Sequence, residues 1–170
     1  MKRALSVALA VVSLGATVGY ATQGSSNGNA ADVEAIRALI KKTERGNHDR
    51  DVKAATAMYE RAGERLLVYD MVPPLEDRGY QKAAWNKVKA FFDGTVGPIL
   101  VEYIDPKITV DGDHAYVMAH LHFAFTMKDG KKADVTGRVT DVYERIGGEW
   151  TVVHEHSSVP TTIGFSWGEE

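Results

Sequence analysis

The 170-residue chain contains no cysteine. That absence excludes disulfides, thiolate metal ligands, a thiol nucleophile and lipid attachment through a cysteine. Charge of one sign is not in excess either: 20 basic and 23 acidic residues are spread along the sequence, for a formal net charge of −3. No electrostatic footprint for nucleic acid results. Internal repeats are absent, and the longest apolar run, Ala4 to Val18, has about 15 residues, short of the ~20 that a membrane helix needs.

What remains is ordinary globular material. With 44% hydrophobic and 25% charged residues, one domain can bury a real core. Lys2 and Arg3 precede the apolar run, and Gly19-Tyr20-Ala21 offers small residues where a signal peptidase reads. Residues 1–21 are therefore expected to be a signal peptide cleaved after Ala21, which makes the protein secreted or periplasmic. A flexible tail is expected over 22–31, the folded domain over 32–162 and a C-terminal tail over 163–170.

The domain reads as helices followed by strands. From Asp32, an acceptable N-cap, Val33, Ile36, Leu39 and Ile40 recur at helical spacing to about Glu44, where Gly46-Asn47 breaks the pattern. A second helix is expected over 51–59, a short strand over 66–70 ending near Pro73-Pro74, and a third helix over 81–92 with Trp85, Val88, Phe91 and Phe92 as its buried stripe. Residues 101–110 lead through Asp111-Gly112-Asp113 into a long strand. There Ala115, Val117, Ala119, Leu121, Phe123, Phe125 and Met127 alternate with a more polar set that includes His120 and His122. Asp129-Gly130 and Gly147-Gly148 are hairpin turns. The fold class is α+β, with the helices on one face of a curled antiparallel sheet.

Three stretches carry a family resemblance. These are Val68-Tyr69-Asp70 with Pro73-Pro74 and Gly79, then Gly112-Asp113-x-Ala115, and finally Arg138-x-Thr140 followed by Gly148-x-Trp150 and His154-x-His156-x-Ser158. From about Asp32 to Pro160 the chain resembles the ketosteroid-isomerase-like, or nuclear transport factor 2-like, superfamily of cone-shaped (cystatin-like) domains. The closing pattern is similar to its SnoaL-like branch and to the association domain of type II calcium/calmodulin-dependent kinases. The superfamily includes isomerases, dehydratases, epoxide hydrolases, cyclases and non-catalytic assembly modules, so the resemblance implies a fold and leaves the reaction open.

By that resemblance Asp70, nine positions before Gly79, falls where ketosteroid isomerases place their general base, and apolar neighbours would make it a usable base near neutral pH. A turn-capping role is the other reading. Asp141 falls roughly where a protonated aspartate donates to an oxyanion beside a tyrosine. The matching first-helix region, Leu39 to Glu44, has no tyrosine, which argues against steroid-type isomerisation.

Strand histidines invite a metal reading, but the strand carrying Arg138 separates His120 and His122 from His154 and His156, so no metal and no cofactor are expected. If Asp129-Gly130 closes a two-residue turn, Arg138 pairs with Leu121, and Arg138 and Thr140 share the apolar face. A three-residue loop at Ile146-Gly147-Gly148 would add His154, His156 and Trp150 to that face; a two-residue loop would add Val153, Glu155 and Ser157. The association-domain resemblance favours a different set, with Asp141 inward.

The catalytic set is thus Asp70, Asp141, His154 and His156, and the ligand-binding set Tyr69, Trp85, Phe92, Leu121, Arg138 and Thr140. Two function classes stay open. One is an exported small-molecule-binding domain, homodimeric through its outer sheet face, for a small apolar or carboxylate-bearing ligand. The other is a cofactor-independent isomerase, lyase or hydrolase with Asp70 as base. An assembly module is a third reading, and membrane partners are not expected after signal cleavage.

Overall fold

A computed structural model describes residues 26–71 and 74–160. The signal peptide, residues 22–25, Pro73 and the 163–170 tail lie outside the described residues, whereas 26–31, expected as flexible tail, are helical. Helix α1 spans Ser26–Asp49, so it starts before Asp32 and passes through Gly46. Asp32 is consequently not a cap. Its carboxylate instead accepts from Arg145 Nη2 at 2.7 Å and from Trp150 Nε1 at 3.2 Å, and the Arg145 guanidinium lies 4.3 Å from the Trp150 ring centroid. The hydrogen bond from Arg145 holds the Asp32 carboxyl below its usual range. This fastens the first turns of the helix to the last hairpin.

Gly46 does not break the helix because its missing side chain serves packing. A Cβ there would sit 2.1 Å from Ala55 N, inside the short helix α2 at Val52–Ala55. Asp51 caps α2 by accepting from the N–H groups of Lys53 and Ala54 at 3.0 and 3.2 Å. A 3₁₀ turn at Glu60–Arg65 follows, then strand β1 at Leu67–Tyr69 and strand β2 at Glu76–Arg78, which pair antiparallel. The expected third helix is split into wider π-helical turns at Gln81–Asn86 and helix α3 at Lys87–Gly94.

The sheet is completed by β3 at Thr95–Asp111, β4 at His114–Met127, β5 at Lys132–Ile146 and β6 at Glu149–Ser158. Its order is β2-β1-β6-β5-β4-β3, with β1 parallel to β6 and the other pairs antiparallel. Edge strand β3 is longer than expected and tolerates Pro98 and Pro106 because both lie in irregular stretches, between Val96 and Leu100 and between Ile104 and Lys107. Ile36 and Ile40 of α1 pack with Met58, Leu66, Val117, Val139, Tyr143 and Val152 in one core.

Register follows from the turns. Met127 N donates to Lys131 O at 2.7 Å and Gly130 N to Met127 O at 2.9 Å, which closes a three-residue loop with Gly130 at φ 86°. The expected two-residue turn is thereby corrected: Leu121 pairs with Gly137 and His120 with Arg138. In the next hairpin, Gly147-Gly148 is a two-residue turn, with Ile146 opposite Glu149. A bulge then intervenes, since Tyr143 pairs with Val152 but Val142 pairs with His154. Val153 is the extra residue.

Adding a methyl at Gly46 should force α1 and α2 apart. Gly46→Ala is expected to lower the unfolding free energy by about 1–3 kcal/mol, read as a lower urea midpoint at unchanged slope. An unchanged midpoint would show that the close approach carries no weight.

Candidate functional site

Between the inner face of the sheet and α3 lies a cavity of about 470 Å³. Its walls are apolar: Val88 and Phe91 come from α3, Ile99 and Val101 from β3, and Leu121, Phe123 and Phe125 from β4. Phe91 meets Phe125 edge to face at 4.8 Å, and Phe123 stacks on Phe125 at 6.2 Å. Alternation in β4 produces this wall, because every second residue faces inward.

Polar groups enter the cavity at two places. Asp70 and Lys87 form the first, with Lys87 Nζ 2.8 Å from Asp70 and 3.0 Å from Asp77, which also pairs with Lys82 at 3.0 Å. Burial opposes the Lys87 charge, but the hydrogen bonds to Asp70 and Asp77 outweigh it and raise its pKa. Burial likewise opposes the Asp77 charge, and its two lysines outweigh that and lower its pKa. This end of the site is a network of ion pairs.

The second place is built by the bulge. Past Val153, Glu155 and Ser157 turn inward opposite Asp141 and Val139. Tyr59 OH donates to Glu155 Oε2 and Ser157 Oγ donates to Glu155 Oε1 at 3.1 Å. Tyr59 is held there because Met58 O accepts from Val152 N at 2.7 Å and from Thr151 Oγ1 at 2.9 Å, which fastens the chain before it to β6. Behind Glu155, Asp141 is fully buried and accepts from Tyr103 OH at 3.1 Å. Its Oδ1 and the hydroxyl of buried Tyr143 have no hydrogen-bond partner.

Two adjacent carboxylates with so little solvent cannot both stay charged at ordinary cost. Burial and then the Glu155 charge push Asp141 well above its ordinary 3.8, and the Tyr103 hydroxyl only partly opposes this. Burial also raises Glu155, against the hydrogen bonds from Tyr59 and Ser157. Asp141, with one donor against two, is the member that keeps the proton. Burial and these acids raise Tyr59, Tyr103 and Tyr143, so all three stay protonated, and Tyr59 and Tyr103 donate to the acids.

The sequence-derived residues fall unevenly around this site. Asp70 and Leu121 line the cavity, and Asp141 lies behind Glu155. Arg138 and Thr140 are exposed, contrary to the expectation that they share the face of Leu121, because the three-residue loop reverses β5. His154 and His156 point away from the cavity because the bulge at Val153 exchanges the faces of β6 beyond it. His154 Nδ1 lies 3.0 Å from Leu67 O, and the Tyr69 ring stands edge-on to both imidazoles at 5.3 and 6.1 Å. Tyr69 therefore lines no cavity wall.

Phe92 packs with Ala55 and Ile99 in a separate cluster, and Trp85 lies against Tyr80 at 6.3 Å, both outside the cavity lining. Among the described residues no group of three or more metal-ligating side chains converges, and no helix is long and apolar enough to cross a membrane. Sequence reasoning missed Tyr59, Lys87, Tyr103 and Tyr143, and named Glu155 and Ser157 only for a two-residue final turn. For Tyr143, Glu155 and Ser157 the deciding signal was the residue count of two turns and one bulge, which the glycine pairs left ambiguous.

A curved α+β sheet that wraps helices and encloses an apolar cavity defines a class of domain more than a reaction. The SnoaL-like domain model matches residues 36–162, and the chain belongs to that family, within the nuclear transport factor 2-like superfamily. Among solved structures, an NTF2-like protein of unknown function from Pseudomonas putida is 27% identical, with 79% of this chain and 89% of that chain covered and a TM-score of 0.66. A proposed calcium/calmodulin dependent protein kinase II association domain from Xanthomonas campestris is 23% identical over 79% of this chain and 89% of that one, with a TM-score of 0.56. A proposed scytalone dehydratase from Novosphingobium aromaticivorans is 13% identical over 78% and 86%, with a TM-score of 0.66. No curated protein matches the chain.

The buried acid predicts a pH effect whose sign is fixed. Asp141 binds its proton more tightly in the folded state, so its stabilising contribution is complete below pH 3.8 and is lost as pH rises through the raised folded value. Asp141→Asn, which is neutral throughout, should gain stability relative to the native protein between pH 4.5 and 7, by up to about 1.4 kcal/mol per pH unit. Urea unfolding at the two pH values measures it. A stability difference that does not change with pH would contradict the assignment.

Proposed function

We propose that the protein is an exported small-molecule-binding domain whose ligand occupies the cavity between α3 and the inner sheet face. The observation that carries this reading is the cavity itself, about 470 Å³ with aromatic and aliphatic walls and a few convergent polar groups, the usual form of a small-molecule site. An apolar ligand is favoured. The carboxylate-bearing alternative rested on an inward Arg138, and that side chain is exposed on the opposite face.

A cofactor-independent isomerase, lyase or hydrolase is the second reading. It is supported by the position of Asp70 on the cavity wall and by the dehydratase name of one structural neighbour. In that reading Asp70 would remove a proton from the ligand while a protonated group stabilises the oxygen. The ion pair with Lys87 counts against it, since the carboxylate must release an ammonium to act.

Self-association is part of the proposal. Ile104, Tyr116 and Met118 are exposed at 39, 43 and 48%, in strands whose outward positions also carry His120, Arg138, Thr140 and His156. An apolar patch of this kind suits a second copy of the chain, and the association-domain neighbour has the same fold.

Native mass spectrometry of the protein purified from its own host reads both features at once. The expected result is a dimer mass with a small molecule bound, and loss of that molecule in Leu121→Trp, whose larger ring fills the cavity. A ligand-free monomer would contradict both parts.

A further inference from the structure

The cavity has a polarity as well as a volume. Glu155 faces it from the sheet, and its two oxygens each accept one hydrogen bond, from Tyr59 OH and from Ser157 Oγ. A carboxylate offers about four acceptor positions, so about two are left for whatever enters. Both neighbouring hydroxyls have spent their protons on Glu155. The two unpartnered polar atoms of this corner among the described residues, Asp141 Oδ1 and the Tyr143 hydroxyl, belong to fully buried side chains that do not line the cavity. What the sheet side of the cavity offers a ligand is therefore the free acceptor positions of Glu155.

The charge balance points the same way. Lys87 and Lys82 are the cations of the network, and Asp70 and Asp77 already pair with them. Among the described residues no cation forms an ion pair with Glu155, and Lys87, on the same cavity wall, acts on it only from a distance while bonded to Asp70 and Asp77. A second negative charge placed there would be desolvated and repelled.

We propose that the cavity selects an apolar molecule whose polar end is a neutral hydrogen-bond donor, an alcohol, and that Glu155 is the residue that reads it. Asp141 acts through Glu155 as a positioning residue: by remaining neutral it leaves Glu155 as the one carboxylate presented to the ligand. This rests on the reading of the cavity as the ligand site, and it adds the ligand's chemical class and the residue that sets it.

The test uses two probes with one body, 4-tert-butylcyclohexanol and 4-tert-butylcyclohexanecarboxylate, titrated into the full chain at pH 7 by calorimetry. The alcohol should bind at least tenfold more tightly than the carboxylate, and Glu155→Gln, which keeps the shape and removes the charge, should reduce that preference to threefold or less. Circular dichroism of the variant checks that it folds, and Thr136→Ala, exposed on β5 and outside the cavity lining, should retain the preference. Equal binding of both probes, abolished by Leu121→Trp, would overturn the selection rule and leave the cavity reading standing. Binding of neither would overturn both.

Discussion

Side chains alternate across a strand, so each added residue exchanges the two faces of everything that follows it, and this sheet makes that exchange twice. The three-residue loop at Lys128-Asp129-Gly130 turns Val139, Asp141 and Tyr143 inward and sends Arg138 and Thr140 out. Without a second exchange, a two-residue turn at Gly147-Gly148 would bring His154 and His156 in beside them. The bulge at Val153 prevents that and supplies Glu155 and Ser157 instead. Two single-residue features therefore decide that the middle of β5 and β6 turns Asp141 and Glu155 inward in place of Arg138, His154 and His156.

That choice costs stability and has to be supported. Tyrosines from three separate elements converge on the acids: Tyr59 between α2 and the 3₁₀ turn, Tyr103 on β3 and Tyr143 on β5. Each keeps its proton because the neighbouring acids raise it further. The hydrogen bonds of Met58 O with Thr151 and Val152 place the first of them, and the Asp32–Arg145–Trp150 contact holds the same stretch of the hairpin to α1. The fold thus clamps the first half of the strand that carries Glu155, which helps to fix a recognition group.

How much of this could be read beforehand depended on whether the information was local. Helical spacing in Val33, Ile36 and Ile40, the alternation from Ala115 to Met127 and the glycine turns are local, and they led to the α+β class and its SnoaL-like resemblance. The faces of Arg138, His154 and His156 depended on counting residues in two turns and one bulge, and an Asp-Gly or Gly-Gly pair is compatible with more than one count. Gly46 misled for a different reason: its role is to admit the backbone of Ala55, a contact between segments that the sequence around it does not display. Asp32 resembles a cap in its local sequence because its partner Arg145 lies more than a hundred residues away.

The central claim is that the inner face of this sheet carries one protonated and one ionised carboxyl side by side. Carbon-detected NMR of the Asp and Glu carboxyl groups, followed from pH 3 to pH 8 and assigned with Asp141→Asn and Glu155→Gln, measures this most directly. The account predicts that the Asp141 carboxyl titrates well above its ordinary 3.8, after Glu155 has ionised, and that replacing Glu155 lowers its midpoint, since after burial the Glu155 charge is a cause of the shift. Two independent titrations near pH 4, each unaffected by the other substitution, would contradict it.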